Sequence, residues 1–534
     1  MSRLEIASPK KAKIVMEGLY KDLERRIESS PPGLCPVDMA RAFLELCHAQ
    51  TCGKCVPCRI GLGQLNNFIR EVLDGKATMK TLDIMEQTAL SIMESADCAI
   101  GYEAANMVYK GLIGYRDDYV EHIQNGRCTC TYNQPVPCVS LCPAHVDIPG
   151  YVALVGEGRY ADAIRLLRKD NPFPTTCGFI CEHPCEARCR RNMVDDSINI
   201  RGLKRVAADF AGEVDPPQCA PDTGKKIAIL GGGPGGLSAA YYLQLMGHQT
   251  TVYEMLPKLG GMLRYGIPNY RLPKDRLDDD IRAILKTGVQ VKNGLKIGQD
   301  ITIQQLRQEY DVVLITIGAS TDKKLGLENE DADGILSAVQ FLRNVGKNQI
   351  MDLTGKEVAV IGGGNVSMDA VRTAKRLGAK KVSIVYRRRV ADMTALPGEI
   401  DGAVAEGIEL QTLKAPSSID VDENHHVKGI YVTPQMVSSI RDGRASIKPT
   451  GEEDIYIPCD VLIVAIGQNI ETHHFEQAGI PVERGKIVTK STGAFENLPG
   501  VFAGGDCASG PASVIKAIAA AKVVAANIVH LAEE

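Results

Sequence analysis

The sequence predicts a multidomain chain in which α-helical, cysteine-rich domains precede an α/β part with two dinucleotide-binding domains. Two observations predict this order. All but two of the 17 cysteines lie before residue 220. After that point a strand, a glycine turn and a helix follow one another twice, over residues 226–254 and 357–389, which is the pattern of doubly wound parallel sheets. A chain of 534 residues is long enough for several hydrophobic cores.

Charge and hydropathy exclude some partners and indicate a compartment. The net charge of −4 argues against nucleic acid, because phosphate binding usually requires a basic excess. The longest apolar runs, 312–317 and 461–466, have the length of strands and are too short to cross a bilayer. Residues 1–20 have lysines but no apolar h-region, so we expect no secretory signal there. We therefore expect a cytoplasmic protein with no nucleic-acid or membrane partner, in which clustered cysteines bind metal or carry redox chemistry.

Helical periodicity dominates the first part of the chain. Apolar residues recur at three- and four-residue spacing over 37–47, 62–73, 79–93 and 151–167, which predicts helices there. Residues 116–125 are expected to form a connection. The Pro- and Gly-containing stretch 213–225 predicts a linker before the α/β part.

The first cysteine group has the spacing C-x2-C-x2-C followed by a distant fourth cysteine. Its members are Cys52, Cys55, Cys58 and Cys98. Three thiolates within seven residues fit one face of a cubane, and the fourth arrives from elsewhere in the chain. Structural zinc more often uses two separated pairs. The spacing therefore favours a [4Fe–4S] cluster over zinc.

The second cysteine group is large enough for two more cubanes. Its members are Cys128, Cys130, Cys138, Cys142, Cys177, Cys181, Cys185 and Cys189, the last four with strict x3 spacing. The remaining cysteines belong to no motif and are expected to be small buried hydrophobes; they are Cys35, Cys47, Cys219, Cys459 and Cys507.

The first nucleotide motif is G-x-G-x-x-G between the predicted strand 227–230 and the predicted helix 237–246. Its glycines allow a tight turn, a close approach to a pyrophosphate and close packing of helix on strand. Glu254 ends the next predicted strand, where a carboxylate can accept hydrogen bonds from a ribose. The predicted binding residues are Gly231, Gly233, Pro234, Gly235, Gly236, Glu254 and Gly261.

The second motif, Gly362 to Gly364, follows the predicted strand 358–361, with Ser367 in the place of the third glycine. The next strand, 382–386, ends in three arginines rather than an acid. A guanidinium fork suits a 2′-phosphate, so this site favours NADP(H) over NAD(H), with a solvated basic patch as the alternative. The predicted binding residues are Gly362, Gly364, Asn365, Val366, Arg387, Arg388 and Gly467.

The stretch GVFAGGD at 500–506, followed by a predicted helix over 513–529, resembles the second FAD fingerprint of two-dinucleotide-domain flavoproteins. In that group the aspartate holds the ribityl chain of the flavin. The resemblance implies that Gly505 and Asp506 bind FAD together with the first glycine motif.

The first cysteine group carries a second resemblance. TCGKCVPCRIG at 51–61 and DCAIG at 97–101 are similar to the cluster domain at the C-terminal end of the flavin-carrying subunit of NADH:quinone oxidoreductase (respiratory complex I) and of related hydrogenases. This similarity covers residues 35–110. The FMN-binding part of that subunit has no counterpart here.

The rest of the chain, 120–534, resembles the small subunit of NADPH-dependent glutamate synthase. The same module occurs in dihydropyrimidine dehydrogenase and in the large subunit of NADH-dependent ferredoxin:NADP oxidoreductase. The resemblance rests on NPFPTTCGFIC at 171–181 together with the cysteine group and both nucleotide motifs. It implies interleaved cubanes, one held by Cys128, Cys130, Cys138 and Cys189, the other by Cys142, Cys181 and Cys185.

Two features depart from that family. The opening is C-x-C-x7-C rather than C-x2-C-x4-C. In addition, Lys204 of INIRGLK stands where the family has a Gln or Glu as fourth ligand of the flavin-proximal cluster, and an ammonium is a poor ligand. Cys177, one helical turn before Cys181, is the expected substitute.

The resemblances imply helical iron–sulfur domains followed by an α/β flavoprotein. The expected layout is a [4Fe–4S] domain over 1–118, a two-cluster domain over 119–221, an FAD domain over 222–345 and 465–534, and an NADP(H) domain over 346–464. The expected cofactors are FAD, NADP(H) and three [4Fe–4S] clusters. Hydride transfer depends on positioning, so we assign no catalytic side chain.

The expected activity is electron exchange between NADPH, FAD and the clusters, within a multi-subunit transhydrogenase in which bifurcation is left open. Expected partners are other subunits of a redox complex, with ferredoxin or an NADH-oxidising flavoprotein subunit among them. The small subunit of glutamate synthase and a non-enzymatic electron-relay scaffold are the alternatives. A disulfide reductase is disfavoured, because it requires a C-x2-C beside a nucleotide domain and only lone cysteines follow residue 220.

Overall fold

The structure is a computed structural model that describes residues 9–28, 35–126, 136–441 and 444–532. The chain divides into two compact units. One combines the described residues up to Ile148 with His183–Ile200, and the other combines Pro149–Glu182 with the described residues from Arg201 onward.

The N-terminal part of the chain is helical, as the periodicity predicts. Its helices are α1 (Pro9–Glu28), α2 (Pro36–Ala49), α3 (Leu62–Leu73), α4 (Met79–Ser95), α5 (Ala99–Gly114), α6 (Arg116–Asn125), α7 (Pro137–Leu141), α8 (Ile148–Gly156), α9 (Tyr160–Asp170), α10 (Pro174–Ile180), α11 (Pro184–Ala187) and α12 (Ile200–Phe210). Helices α2, α3 and α4 confirm three predicted stretches. The stretch 151–167 is two helices, because Gly158 with φ of 72° breaks it.

The expected connection at 116–125 is wrong, since these residues form α6. Charged residues outnumber apolar ones there, which hides the helical period. Tyr119 is fully buried and His122 is 7% exposed, so one face of α6 packs into the core. Gly126, with φ of 66°, ends the helix in a left-handed cap.

The first unit has one hydrophobic core, to which helices α2 to α5 contribute. Fully buried members include Phe43, Leu65, Met85 and Val108. Its second segment joins this core through Met193. The Tyr115 hydroxyl donates to the Arg188 carbonyl at 3.1 Å, which fastens the 183–200 segment beside α5.

The second unit contains two parallel five-stranded sheets, a small antiparallel sheet and two strand pairs. Its strands are β1 (Lys226–Leu230), β2 (Gln249–Glu254), β3 (Gln290–Asn293), β4 (Val312–Ile315), β5 (Thr321–Asp322), β6 (Ile335–Ser337), β7 (Glu357–Ile361), β8 (Lys381–Tyr386), β9 (Glu409–Thr412), β10 (Lys414–Val421), β11 (Val427–Arg441), β12 (Arg444–Pro449), β13 (Ile455–Pro458), β14 (Val461–Val464), β15 (Gln468–Asn469), β16 (Val482–Glu483), β17 (Lys486–Ile487) and β18 (Val501–Ala503). Its later helices are α13 (Pro234–Leu245), α14 (Met262–Tyr265), α15 (Lys274–Leu285), α16 (Ile303–Glu309), α17 (Ala338–Gly346), α18 (Asn365–Arg376), α19 (Pro397–Ala405), α20 (His473–Gln477), α21 (Asp506–Ser509) and α22 (Val514–Ala532).

The two parallel sheets have corresponding topologies. Their strand orders are β18-β4-β1-β2-β3 and β6-β14-β7-β8-β9. In each sheet the chain order of the strands reverses at the strand before the glycine turn. That strand is β1, between β4 and β2, in the first sheet, and β7, between β14 and β8, in the second. Open α/β sheets bind ligands at this point, beyond the carboxyl ends of the strands. The strand–turn–helix units predicted at 226–254 and 357–389 are therefore confirmed.

An antiparallel sheet of β10 to β13, which no sequence pattern indicates, lies within the second part of the chain. Strand β11 pairs with β10, β12 and β13, and all four strands lie between β9 and β14 in the chain. This insertion therefore belongs to the second dinucleotide fold.

In the part of the chain that the structure describes, no helix is both long enough and apolar enough to span a membrane.

Candidate functional site

The first glycine turn brings a helix directly against a strand. Gly231 has φ of 112°, and a Cβ there would lie 2.5 Å from the Thr316 carbonyl oxygen. A Cβ on Gly236 would lie 1.9 Å from the Gly231 carbonyl oxygen. Side chains at these two positions would push α13 away from the turn, so the predicted roles of both glycines agree with the geometry.

The predicted residues of this motif surround one cavity, which we call the flavin cavity. Its lining includes Gly231, Gly233, Pro234, Glu254, Gly261 and Asp506. Gly235 and Gly236 lie in the first turn of α13, and Gly505, with φ of 73°, precedes α21. The approach of the backbone at Gly261 is close, since a Cβ there would lie 2.8 Å from the Cα of Gly233.

Glu254 is fixed at the rim of the flavin cavity by backbone hydrogen bonds. It is 5% exposed, and its carboxylate accepts from the N–H groups of Gly232 at 2.7 Å and Leu256 at 2.8 Å. Burial raises the pKa of Glu254, and these backbone donors oppose the rise. The acceptor is thus held at the end of β2, where a ribose would bind.

Two polar atoms in the flavin cavity have no partner among the described residues. Asp506 Oδ1 is buried without a hydrogen bond, and burial raises the pKa of Asp506 to about 6. The Nε of Arg343 is also buried without a partner, although its Nη2 donates to the Ser320 carbonyl at 2.5 Å. An unsatisfied buried polar group costs roughly 1–3 kcal/mol. An orphaned acceptor and an orphaned donor therefore fit a polar ligand such as FAD.

The second glycine turn repeats this geometry. Gly362 has φ of 144°, and a Cβ there would lie 2.3 Å from the Ala465 carbonyl oxygen and 2.5 Å from the Ser367 Oγ. Ser367 is fully buried, so a small residue does replace the third glycine. Asn365, the first residue of α18, accepts from the Leu396 N–H through its Oδ1 at 3.0 Å.

A second cavity of about 820 Å³, which we call the nucleotide cavity, opens above this turn. Its lining includes all the predicted residues of the motif, namely Gly362, Gly364, Asn365, Val366, Arg387, Arg388 and Gly467. Arg388 donates from Nε to the Ala445 carbonyl at 3.1 Å. Arg389 is instead paired with Asp392 at 2.8 and 3.0 Å. Two of the three arginines thus face the cavity.

Several cavity residues were not identified from the sequence. Thr316 and Arg343 line the flavin cavity, and Glu182, Pro511 and Lys516 line the nucleotide cavity. None of them belongs to a spacing motif. Pro511 and Lys516 follow GVFAGGD closely, which is the only sequence signal that could have indicated them.

A buried ion-pair network joins the segment after α14 to helix α18. Arg271 donates to both oxygens of Asp369 at 2.9 and 2.7 Å, and its Nε lies 3.1 Å from a Glu399 oxygen. The side chains of Arg271 and Asp369 are 10% and 5% exposed. The neighbouring Tyr270 ring lies under the guanidinium carbons of Arg372 at 5.0 Å and Arg376 at 3.9 Å. We call Tyr270 and Arg271 the latch, because they connect two helices that begin at different cavities. They follow α14, which begins at the flavin cavity, and they contact α18, which begins at the nucleotide cavity.

The first cysteine group is assembled in the first unit. Burial raises the pKa of the Cys58 thiol to about 12, with further contributions from Cys55, Cys98 and Cys52. For Cys55, burial acts against ionisation, but hydrogen bonds from the backbone of Cys58 and Asp97 outweigh it and lower the pKa. A Cβ on Gly101 would lie 2.7 Å from the Cys58 sulfur. Cys52, Cys55 and Cys98 are thus electrostatic neighbours of Cys58, and the cluster at these four cysteines stays a prediction.

The second cysteine group is described in part. Cys128 and Cys130 lie outside the described residues. In the first unit, burial raises the pKa of Cys138, and Cys189 and Cys142 contribute as neighbours. Cys142, Cys185 and Cys189 are buried, and the Ile198 N–H donates to the Cys189 sulfur at 3.5 Å. The neighbours of Cys138 are therefore Cys189, which the resemblance assigns to the same cluster, and Cys142, which it assigns to the other, so the ligand sets stay predictions.

Cys177 and Cys181 lie in the second unit, together with Lys204. Cys177 is fully buried, and burial raises its pKa, with Cys181 adding to the rise and Lys204 opposing it. The Lys204 ammonium lies 5.8 Å from the centre of the Tyr151 ring. Within the described part of the chain, no three His, Cys, Asp or Glu side chains are grouped tightly enough for a metal ion. The cluster ligands therefore stay predictions.

The cysteines outside the motifs divide into two sets. Cys47, Cys459 and Cys507 are buried, and burial raises the pKa of each thiol to about 12. Cys35 and Cys219 are only half-buried, and the Cys35 sulfur lies 3.2 Å from His122 Nε2.

Family comparisons agree with this division of the chain. Residues 225–521 match pyridine nucleotide-disulphide oxidoreductase, residues 38–122 match the iron–sulfur binding region of NADH-ubiquinone oxidoreductase-F, and residues 114–215 match the 4Fe-4S domain II of dihydropyrimidine dehydrogenase.

Individual relatives show the same combination. The chain is 32% identical to the beta subunit of NADP(+)-dependent formate dehydrogenase of Moorella thermoacetica, over 91% of this chain and 78% of that protein. It is 33% identical to the small chain of glutamate synthase [NADPH] of Escherichia coli, over 75% of this chain and 88% of that protein. A mutant of FprA from Mycobacterium tuberculosis shares the fold, with a TM-score of 0.50 and 20% identity over 59% of this chain and 86% of that one. The chain therefore belongs to the pyridine nucleotide-disulphide oxidoreductase family, and with its 4Fe-4S domains it is an iron–sulfur flavoprotein oxidoreductase.

Proposed function

We propose that this chain exchanges electrons between NADP(H) and other subunits of a redox complex, using FAD and three [4Fe–4S] clusters. We keep the expected layout of a cluster domain over 1–118, a two-cluster domain over 119–221, an FAD domain over 222–345 and 465–534, and an NADP(H) domain over 346–464.

One observation carries the proposal: the flavin and nucleotide cavities lie on the same short stretch of chain. Asp506 lines the flavin cavity, and Pro511, Ala512 and Ser513 line the nucleotide cavity. This shared stretch supports a path by which the nicotinamide of a dinucleotide bound at the second glycine turn reaches the flavin cavity. Hydride transfer needs such positioning more than it needs an acid or a base.

The placement of the side chains supports a role for each of them. Glu254 would accept from the ribose of FAD and Asp506 from its ribityl chain, while Arg387 and Arg388 would hold the 2′-phosphate of NADP(H). FAD, when bound, supplies the chemistry that converts a hydride into single electrons for the clusters. Anaerobic addition of NADPH should bleach the flavin absorption, and an unbleached flavin would favour the scaffold alternative.

The N-terminal match supports a choice between the possible partners. A module similar to that of NADH-ubiquinone oxidoreductase-F has no evident use in a simple glutamate synthase small subunit. It favours a transhydrogenase-type complex whose other subunits include ferredoxin or an NADH-oxidising flavoprotein. Affinity purification of the native complex, followed by identification of the co-purifying chains, tests this choice against glutamate synthase.

The cluster number makes a prediction about metal content. Three cubanes require about twelve irons and as many inorganic sulfides per chain, with no stoichiometric zinc. Elemental and sulfide analysis after anaerobic purification measures both. One zinc with about eight irons per chain would contradict the assignment of Cys52, Cys55, Cys58 and Cys98 to a cubane.

The paired arginines make a prediction about cofactor preference. Replacing both Arg387 and Arg388 with glutamine should raise the KM for NADPH about tenfold to a hundredfold and leave the KM for NADH nearly unchanged, because only NADPH carries the 2′-phosphate. Flavin-bleaching kinetics with each cofactor measure the two constants.

Lys381 provides the matched control, since it is an exposed cation at the opposite end of β8. Lys381→Gln should change neither KM. A wild-type protein whose flavin is reduced faster by NADH than by NADPH would overturn the assignment of the arginines.

A further inference from the structure

A carboxylate from the cysteine-rich part of the chain lies in the nucleotide cavity. Glu182 lines this cavity, and its Oε1 accepts from Asn365 Nδ2 at 3.2 Å. The orientation of the Asn365 amide is fixed, because the Leu396 N–H donates to its Oδ1 at 3.0 Å. The amide NH2 therefore faces Glu182.

The backbone before Glu182 is held firmly. Cys181 caps the C-terminus of α10, its N–H donates to the Cys177 carbonyl at 3.2 Å, and its carbonyl accepts from Arg201 Nη1 at 3.2 Å. Cys181 is 6% exposed, whereas the following Glu182 is exposed to the cavity. Glu182 is thus an acidic side chain that follows a backbone segment fixed by hydrogen bonds.

The position that this carboxylate occupies has a defined electrostatic character. Asn365 is the first residue of the 12-residue helix α18, whose N-terminus follows the second glycine turn. A helix N-terminus carries partial positive charge and favours anions, and in dinucleotide folds it holds the pyrophosphate. The carboxylate at Asn365 therefore lies where the pyrophosphate of the cofactor would bind.

We infer that Glu182 is a tethered anion that competes with the pyrophosphate of NADP(H) for the N-terminus of α18, so that cofactor binding requires its displacement. This inference rests on the proposed function of the nucleotide cavity. The competition concerns only ligands that contain a pyrophosphate. Adenosine 2′-monophosphate has none, and its single phosphate would be held at Arg387 and Arg388.

The inference has a consequence for the neighbouring cysteine. Cys181 directly precedes Glu182 and is one of the predicted cluster ligands. Displacement of Glu182 by the cofactor therefore moves the residue that directly follows a predicted cluster ligand. Cofactor binding is thus coupled to that ligand through the main chain.

The test is equilibrium binding of NADP+ and of adenosine 2′-monophosphate to the oxidised holoprotein by isothermal titration calorimetry. Glu182→Gln removes the charge and keeps an acceptor for Asn365. The variant should bind NADP+ about threefold to tenfold more tightly, because one repulsive charge at the helix N-terminus is gone. Its Kd for adenosine 2′-monophosphate should equal that of the wild type.

Glu423→Gln is the matched control, since Glu423 is an exposed acid outside the cavity lining, and it should change neither Kd. An unchanged or higher Kd for NADP+ in Glu182→Gln would overturn the inference. A wild-type protein that binds neither ligand would instead overturn the proposed function, so the two failures are distinguishable.

Discussion

Replacing Arg271 with leucine should destabilise the second unit by about 3–5 kcal/mol, the range measured when one partner of a buried ion pair is removed. The Asp369 side chain is 5% exposed and would lose Arg271 Nη1, which donates to both of its oxygens and compensates its burial. The latch would also lose its contact with Glu399. Urea unfolding followed by flavin fluorescence measures the shift.

Two controls separate the buried charge from lost packing. The double variant Arg271→Leu with Asp369→Leu should recover most of the stability, because two apolar residues leave no uncompensated charge. Arg282→Leu should cost about 1 kcal/mol or less, since Arg282 is 69% exposed in its ion pair with Asp279. A single Arg271→Leu variant as stable as Arg282→Leu would contradict a latch that depends on a buried charge.

Replacing Cys177 with alanine should remove or convert one cubane while NADPH still bleaches the flavin. Cys177 is fully buried with Cys181 as an electrostatic neighbour, and Lys204 stands at the position where the resemblance implies an amide or carboxylate ligand. Cys177, one helical turn before Cys181, supplies a thiolate as the expected substitute. The expected result is an iron content lower than that of the wild type by one to about four atoms per chain and a changed EPR spectrum of the reduced protein.

The matched control is Cys219→Ala, because Cys219 is half-buried, belongs to no motif and contacts only the Thr287 carbonyl among the hydrogen bonds described for it. Its iron content and EPR spectrum should equal those of the wild type. Adding Lys204→Gln to Cys177→Ala tests the ligand position directly, since an amide there should restore the cluster. Unchanged iron and EPR in Cys177→Ala would reject Cys177 as a ligand.

Local signals predicted the parts of the fold that local physics determines. The turns at Gly231 and Gly362 require left-handed backbone and leave no space for a Cβ, so sequence, spacing and conformation agree. Helix α6 was missed because its buried face depends on Tyr119 and His122 within a charged stretch, where burial is decided by packing against other helices.

The sequence patterns did not predict contacts between residues that lie far apart in the chain. Nothing in the spacing of Glu182 or Arg271 indicates that one lies in the nucleotide cavity and the other pairs with Asp369, 98 residues away. Such contacts arise from the topology of the sheets. The cluster ligands were assigned by resemblance, and the described residues bring Cys138 near Cys189 without testing Cys128 and Cys130.

The insertion of β10 to β13 has a consequence for how cofactor preference can evolve. Ala445, in β12, accepts from Arg388 through its carbonyl, and its N–H donates to Asp392, which in turn holds Arg389. These contacts use only the main chain of Ala445, whose side chain is 2% exposed, so they depend on the path of β12 and not on a side-chain functional group. Arg388, which we propose to bind the 2′-phosphate, is therefore oriented by the backbone of β12, and Arg389 is held by the same strand through Asp392. A change in the length or register of β12 would therefore redirect Arg388 without altering a residue of the parallel sheet or of the second glycine turn.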